Sequence, residues 1–349
     1  MNIAIRVDSS KKIGSGHVYR TLTLAKELKY KKNKVIFICQ NLPGNLINLI
    51  KKNNFKVKTI KNLTKKKKSS FKNHFKSWSR ETQINDSKKT NIILNDNKCD
   101  WIISDHYGLS EIWEKEVCKF SKLLVIDDLL NKKHFCNLYV HNHFGITKKN
   151  KVDFLSHSGC KVLDGLKYTI INKLYLKKNN FLKIKKNNIF VFMGAVDKKK
   201  ISIKVIKKIK NNFNVTVLLG KNCNYINEIQ LLSKKYRTIK IIKKNYDSLK
   251  DFYKNYNLII SSGGLSMYEQ ILCESNSLII SQNKYQEKIC KILFKQGYIN
   301  YLKSIKKINF NLLNNLMKSQ KKKKNIIDGF GSNRIVNMIM NFNQNLISF

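Results

Sequence analysis

An imidazole set among glycines, two arginines and an aspartate is the first chemistry this chain offers. The segment reads Arg6-Val7-Asp8-Ser9-Ser10-Lys11-Lys12-Ile13-Gly14-Ser15-Gly16-His17-Val18-Tyr19-Arg20. An apolar run, Ile3-Ala4-Ile5, leads into it as a buried strand, and Leu22, Leu24, Ala25 and Leu28 follow at the spacing of a helix's inner face. Strand, glycine-bearing turn and helix start together gather backbone N–H groups that can hold an anion. His17, in that turn, can take up a proton near neutral pH, as a general base must. The combination points to chemistry on a phosphate-bearing substrate.

Ligands of open parallel sheets bind beyond the carboxyl ends of the strands, so further candidates should follow strands. After residues 101–104 come Asp105, His106, Tyr107 and Gly108, and after 123–126 come Asp127 and Asp128. In the second half, 189–193 runs into Gly194 and Asp197. Residues 258–261 run into Ser262, Gly263, Gly264, Leu265 and Ser266, with Tyr268 and Glu269 on the helix beyond. Glycines at 263 and 264 let the backbone approach a pyrophosphate, and the helix N-terminus adds partial positive charge. Glu269 can accept hydrogen bonds from ribose hydroxyls. Either glycine turn alone also reads as a tight strand-to-helix connection; two of them, one per half, favour the binding reading. His106 reads equally as a structural histidine or a substrate contact. His134, His141, His143 and His157 match no metal-ligand spacing, and no metal is expected.

The elements that must position these residues alternate. Apolar runs at 3–7, 35–39, 101–104, 123–126 and 138–140 read as strands, with helical patterns at 20–28, 46–52 and 112–120 between them. A second series starts at 189–193 and continues at 215–219, 239–242, 258–261 and 278–281, with helices at 201–210, 225–235, 249–253, 267–273 and 286–296. The fold class is therefore α/β, two Rossmann-like domains of parallel sheet facing a cleft. The expected boundaries are 1–165 for the first domain and 186–335 for the second, with 336–349 as part of a last helix (333–346) that packs back on the first. Residues 61–97 are the least regular part and read as a helix-rich excursion or a lid.

Composition narrows the function classes. A formal charge of +47 suggests nucleic acid, but 64 lysines, 44 asparagines, five arginines, three alanines and one proline reflect A/T-rich codons. The lysines are scattered, and no segment interleaves aromatics with basic residues as a nucleic-acid face requires. No nucleic-acid partner is expected. None of the eight cysteines forms a Cys-x-x-Cys pair. The start shows no secretory signal and no apolar run approaches twenty residues, so the expectation is a cytoplasmic protein without a membrane span. A monomer is expected.

These motifs resemble one family. Arg6-x-Asp8-x-Ser10-x-x-Ile13-Gly14-x-Gly16-His17-x-x-Arg20 is similar to the opening motif of the UDP-2,4-diacetamido-2,4,6-trideoxy-β-L-altropyranose hydrolases of pseudaminic acid biosynthesis. Asp100-Trp101-Ile102-Ile103-Ser104-Asp105-His106-Tyr107, Ile126-Asp127-Asp128-Leu129, Ser261 to Glu269 and Asp328-Gly329-x-Gly331-x-x-Arg334 resemble its later motifs. The likeness runs over residues 1–340, although the Gly-Gly-x-x-x-Tyr-Glu element is shared more widely among nucleotide-sugar enzymes. It implies a glycosyltransferase-B-like fold and a UDP-sugar substrate, without metal or other cofactor. By the same likeness His17 activates water at the anomeric carbon. Arg6, Asp8, Gly14, Gly16, Arg20, Asp105, His106, Tyr107 and Tyr268 would contact the sugar, and Gly194, Ser262, Gly263, Gly264, Leu265, Ser266 and Glu269 would hold UDP. Ala195, Asp164-Gly165-Leu166-Lys167-Tyr168 and Asn172 depart from the family pattern and bear on the exact substrate. The competing readings are a glycosyltransferase, with an acceptor hydroxyl in place of water, and a non-catalytic binder of nucleotide sugars or RNA.

Overall fold

Strands apolar at nearly every position must be covered on both faces, and that is how the chain uses them. The computed structural model describes residues 1–60, 76–143, 154–176, 187–197, 199–220, 223, 225–243, 246, 248–319 and 326–342. Two compact units divide the chain, residues 1–170 with 330–349 and residues 171–329; the expected limits were 165, 186 and 335. In the first unit, β1 (Asn2–Val7), β2 (Lys34–Gln40), β3 (Lys56–Ile60), β4 (Trp101–Asp105), β5 (Lys122–Ile126), β6 (Leu138–His141) and β7 (Lys161–Asp164) form one sheet. Its order is β3-β2-β1-β4-β5-β6-β7, and every pairing is parallel.

Side chains alternate across the sheet, and this sorts the polar residues at the strand ends. Ile3, Ile5 and Val7 of β1 and Ile103 of β4 lie in one core with α1 (Gly16–Tyr30), α2 (Ile47–Lys52) and the helix Gly331–Met340, which supply Val18, Leu22, Ala25, Leu28, Ile47, Ile50, Ile335, Val336 and Ile339. Ala4 and Ile102 pack on the other face with Leu94 of α3 (Arg80–Asp96) and Trp113 and Val117 of α4 (Glu111–Val117). The last helix starts at 331 rather than 333 and needs glycine there, since a Cβ would lie 2.2 Å from the Thr169 carbonyl oxygen. Its expected end at 346 lies outside the described residues.

The second unit repeats the scheme. Strands β8 (Asn188–Phe192), β9 (Asn214–Leu218), β10 (Ile239–Ile242), β11 (Leu258–Ser262), β12 (Ser277–Ile280) and β13 (Asn300–Leu302) pair in the order β10-β9-β8-β11-β12-β13, all parallel. Among the described residues no helix is long and apolar enough to cross a membrane. All eight cysteines are free thiols.

Two buried charge networks lock the first unit. Arg6 points to the α3 face, fully buried, with its guanidinium bonded to Asp8 Oδ1 (2.7 Å) and Oδ2 (3.0 Å) and to Asp86 Oδ1 (3.1 Å) and Oδ2 (2.8 Å). Trp113 Nε1 and Thr90 Oγ1 also donate to Asp86. Helix α3 is thus part of the layer covering the sheet, not an excursion; residues 61–75 of the segment read that way lie outside the described residues. In the second network His134 Nδ1 sits 2.7 Å from Glu114 Oε1, and its Nε2 lies 3.5 Å from Asp127 Oδ2. Burial works against the charged ring, but Glu114 and Asp127 outweigh it and raise the His134 pKa to about 9.

Both networks give measurable expectations. Arg6→Met strands two buried carboxylates and should lower the unfolding free energy by about 3–5 kcal/mol in urea titrations. A loss below about 1 kcal/mol, the scale of an exposed ion pair, would show that the network does not hold α3. His134 binds its proton more tightly folded than unfolded, so its stabilisation is complete below about pH 6.5 and disappears as pH rises through about 9. The stability gap between the wild type and His134→Gln should therefore narrow by on the order of 3 kcal/mol between pH 6 and pH 10. A gap independent of pH would mean that the ring is neutral throughout.

Candidate active site

In each sheet the strand order reverses at one place, between β1 and β4 and between β8 and β11, where the connections on either side diverge. Such switch points open a crevice at the carboxyl ends of the strands. His17 and Asp105 gather at the first, Gly194 and Ser262 at the second.

At the first switch point, Asp105 ends β4 on the α1 face and meets two residues of that helix. His17 Nδ1 lies 2.6 Å from Asp105 Oδ1, and Arg20 donates from Nε to Oδ2 (2.6 Å) and from Nη2 to Oδ1 (2.7 Å). Burial alone would raise the Asp105 pKa; the charge of Arg20, then His17, overcomes this and brings it down to about 2. An ionised carboxylate only accepts, so Nδ1 carries a proton and, in the neutral ring, Nε2 holds the lone pair. Nε2 has no partner among the described residues. Arg20 Nη1 reaches Asp128 Oδ2 at 2.5 Å, and Tyr107 Oη donates to the same oxygen at 3.2 Å. The Tyr107 ring stands edge-on to His17, with centroids 4.6 Å apart.

Other residues expected at the sugar are engaged by neighbouring groups of the first unit. Arg6 is spent on Asp8 and Asp86, and Asp8 on Arg6, the Gln40 N–H (2.7 Å) and His106 Nε2 (3.1 Å). His106 accepts the Gly108 N–H at Nδ1 (3.0 Å), so both its nitrogens are occupied, and burial lowers its pKa. Gly108 has to be glycine: a Cβ would lie 2.6 Å from the Trp78 indole, which packs edge-on to His106. The first glycine turn uses three of its own N–H groups internally. Those of Lys12 and Ile13 go to Ser10 Oγ and that of Gly14, at φ +92°, to the Ser10 carbonyl. Open space surrounds Gly14 and Gly16.

At the second switch point the two glycines differ. A Cβ on Gly263 would come 2.5 Å from Cys290 Sγ, so this glycine admits the helix Lys284–Lys295. Gly264 has nothing closer than 3.9 Å and precedes the helix Leu265–Leu272, leaving the approach to that N-terminus open. Gly194 has φ +83°, and a Cβ there would lie 3.7 Å from Ser262 Oγ. Leu265 is half-buried, while Ser266 and Tyr268 are largely covered. Glu269 accepts from Tyr253 Oη at 3.0 Å, and burial pushes its pKa up to about 7. Of the histidines further along, His141 faces Asp164, His143 lies near Asp128 and His157 stacks on Phe135; among the described residues no cluster of three or more potential ligands could hold a metal. Asp128, a candidate from its place after β5, and Lys132 belong to the network around His17, and Asp86 to the Arg6 clamp on the opposite face; the sequence singles out neither Asp86 nor Lys132.

No family model matches the chain. An uncharacterised protein of Methanocaldococcus jannaschii is 29% identical over 328 residues, covering 90% of this chain; the chain spans about 60% of that relative. The UDP-2,4-diacetamido-2,4,6-trideoxy-β-L-altropyranose hydrolase of Campylobacter jejuni is 26% identical over 301 residues, 85% of this chain and 98% of that protein. Among solved structures, Staphylococcus aureus MnaA with UDP superposes with a TM-score of 0.67 at 13% identity, over 100% of this chain and 98% of that one. Acinetobacter baumannii MurG gives 0.64 at 13%, over 97% and 99%. The UDP-GlcNAc 2-epimerase of M. jannaschii gives 0.62 at 14%, over 97% and 99%. The chain has the two-domain glycosyltransferase-B-like fold of these proteins.

Proposed function

We propose that the protein hydrolyses a UDP-linked 2,4-diacetamido-2,4,6-trideoxy sugar to UDP and the free sugar, as a step in making a nonulosonate such as pseudaminic acid. The observation that carries this reading is His17, its Nδ1–H fixed on ionised Asp105 and its Nε2 without a partner among the described residues, at the β1/β4 switch point. The hydrolase name of the C. jejuni relative, alike over 98% of its length, supports the substrate class.

In this mechanism Nε2 takes a proton from water as the water oxygen bonds to the anomeric carbon. The bond from that carbon to the β-phosphate oxygen breaks, its electron pair leaves with UDP, and the configuration inverts. Asp105 stabilises the imidazolium as it forms and holds the ring's tautomer. UDP leaves as a stable anion, so one base suffices. The diphosphate is assigned to Gly194, Ser262, Gly264 and the N–H groups opening the helix at Leu265 and Ser266, where helix polarity favours negative charge. Glu269 is assigned to the ribose hydroxyls.

Incubation with UDP-diacetamido-trideoxy sugars and EDTA should release UDP and free sugar without an acceptor. In ¹⁸O-water the label should enter the sugar and not the UDP. His17→Ala should bind UDP normally yet lose about 10²–10⁴-fold in kcat. Undiminished turnover by that variant overturns the mechanism, and UDP release that requires an acceptor marks a transferase. Only an ionised Glu269 accepts at both oxygens, so UDP affinity should rise from about pH 6 to pH 8 as the group titrates near 7. Calorimetric titration of Glu269→Gln should show a flatter profile; matching profiles would remove Glu269 from the site.

A further inference from the structure

Lys132 is a lysine that base composition does not explain. Its side chain is 8% exposed, and its ammonium donates to the carbonyl oxygens of Tyr107 (2.8 Å) and Leu109 (2.5 Å), with Asp127 Oδ2 at 3.4 Å. The two carbonyls belong to the turn after β4, which the Leu109 N–H closes on the His106 carbonyl. Asp127 opens the segment after β5, where its Oδ1 accepts the Leu129 N–H at 2.6 Å. One ammonium therefore braces two loops against each other. The carboxylate at its far end is itself backed by His134, which Glu114 of α4 holds.

Those two loops carry the groups around His17. The first presents Tyr107, whose ring stands against the imidazole. The second presents Asp128, which takes Tyr107 Oη and Arg20 Nη1, while Arg20 grips Asp105. A shift of one loop against the other would loosen Tyr107 from Asp128 and from the His17 ring together. We infer that Lys132 is a positioning residue for the reaction, setting the His17 ring through Tyr107 without touching substrate. A compact ammonium suits the task because it donates to three acceptors from one point, which no apolar side chain of that length can do.

This inference rests on His17 being the base, and its test separates the two. Lys132→Met and Lys132→Gln are compared with wild type for hydrolysis, UDP binding and nuclear Overhauser contacts between the Tyr107 and His17 rings. The expected result is a fall in kcat of on the order of 10- to 10²-fold, with KM and the UDP Kd within about twofold and weakened ring contacts in both variants. Wild-type kcat with intact ring contacts overturns the brace while leaving the hydrolase reading standing. If wild type hydrolyses none of the sugars, the hydrolase reading fails and the ring contacts alone decide the brace. Loss of the folded state in both variants also overturns it, because Lys132 would then serve the fold rather than the ring.

Discussion

The Asp105 carboxylate is the constraint on which the first unit's site depends. It ends a central strand, fully buried, and takes three donors from a helix that begins on the neighbouring crossover. A buried carboxylate without those donors would be too costly to keep ionised, and a histidine without that carboxylate would lose its fixed tautomer. Arg20 is what makes the arrangement affordable: its guanidinium covers both oxygens and leaves Oδ1 shared with the imidazole. Because side chains alternate along β4, the adjacent His106 goes to the opposite face. There it meets Asp8, also turned away from α1. Two neighbouring residues of one motif thus serve different tasks, and a register slip of one position would exchange them.

The opposite face explains how so polar a protein keeps a rigid frame beneath the site. Helix α3 buries Gln83, Asp86, Ser87 and Thr90 and only one large aliphatic residue, Leu94. It is held largely by satisfied polar contacts: Asp86 to Arg6, Trp113 and Thr90, and Gln83 to the N–H and hydroxyl of Ser110. Such networks are strong only when each member is paired. Arg6 answers both aspartates at once, so the strand that carries Asp8 and the helix that carries Asp86 are fixed by one side chain.

This polarity also sets what the sequence could reveal. Strands buried on both faces, such as β1, β4 and β11, are apolar runs that stand out from the surrounding lysines and asparagines. Edge strands are different. Lys56–Ile60 alternates lysine with apolar residues and is largely exposed, and Asn300–Leu302 has three half-buried residues, so neither has a clear apolar signature. Helix α3 was illegible because its inner face is polar and periodicity arguments count apolar residues. At the site, His17, Asp105 and Arg20 were legible as candidates from position after strands. The distinction between Arg6, buried as a clamp, and Arg20, set at the imidazole, was not. It follows from which face each residue takes and from what lies across it, and Asp86 is 80 residues from Arg6 in the chain.

The glycines divide in the same way. A motif treats Gly14, Gly263 and Gly264 alike, as places where the backbone can approach a phosphate. In the structure Gly14 holds a left-handed turn closed on Ser10, Gly263 makes room for Cys290, and Gly264 leaves open space before a helix. An open helix start lies at Gly264 in the second unit, while the first unit gives the N–H groups of Lys12, Ile13 and Gly14 to Ser10 and leaves Nε2 of His17 without a partner among the described residues. The chain thus offers an open helix N-terminus at Gly264 and, in His17, a nitrogen able to accept a proton. A reaction that expels a phosphate anion while a base takes a proton from the attacking water calls on both, the first to stabilise the leaving anion and the second to accept the proton.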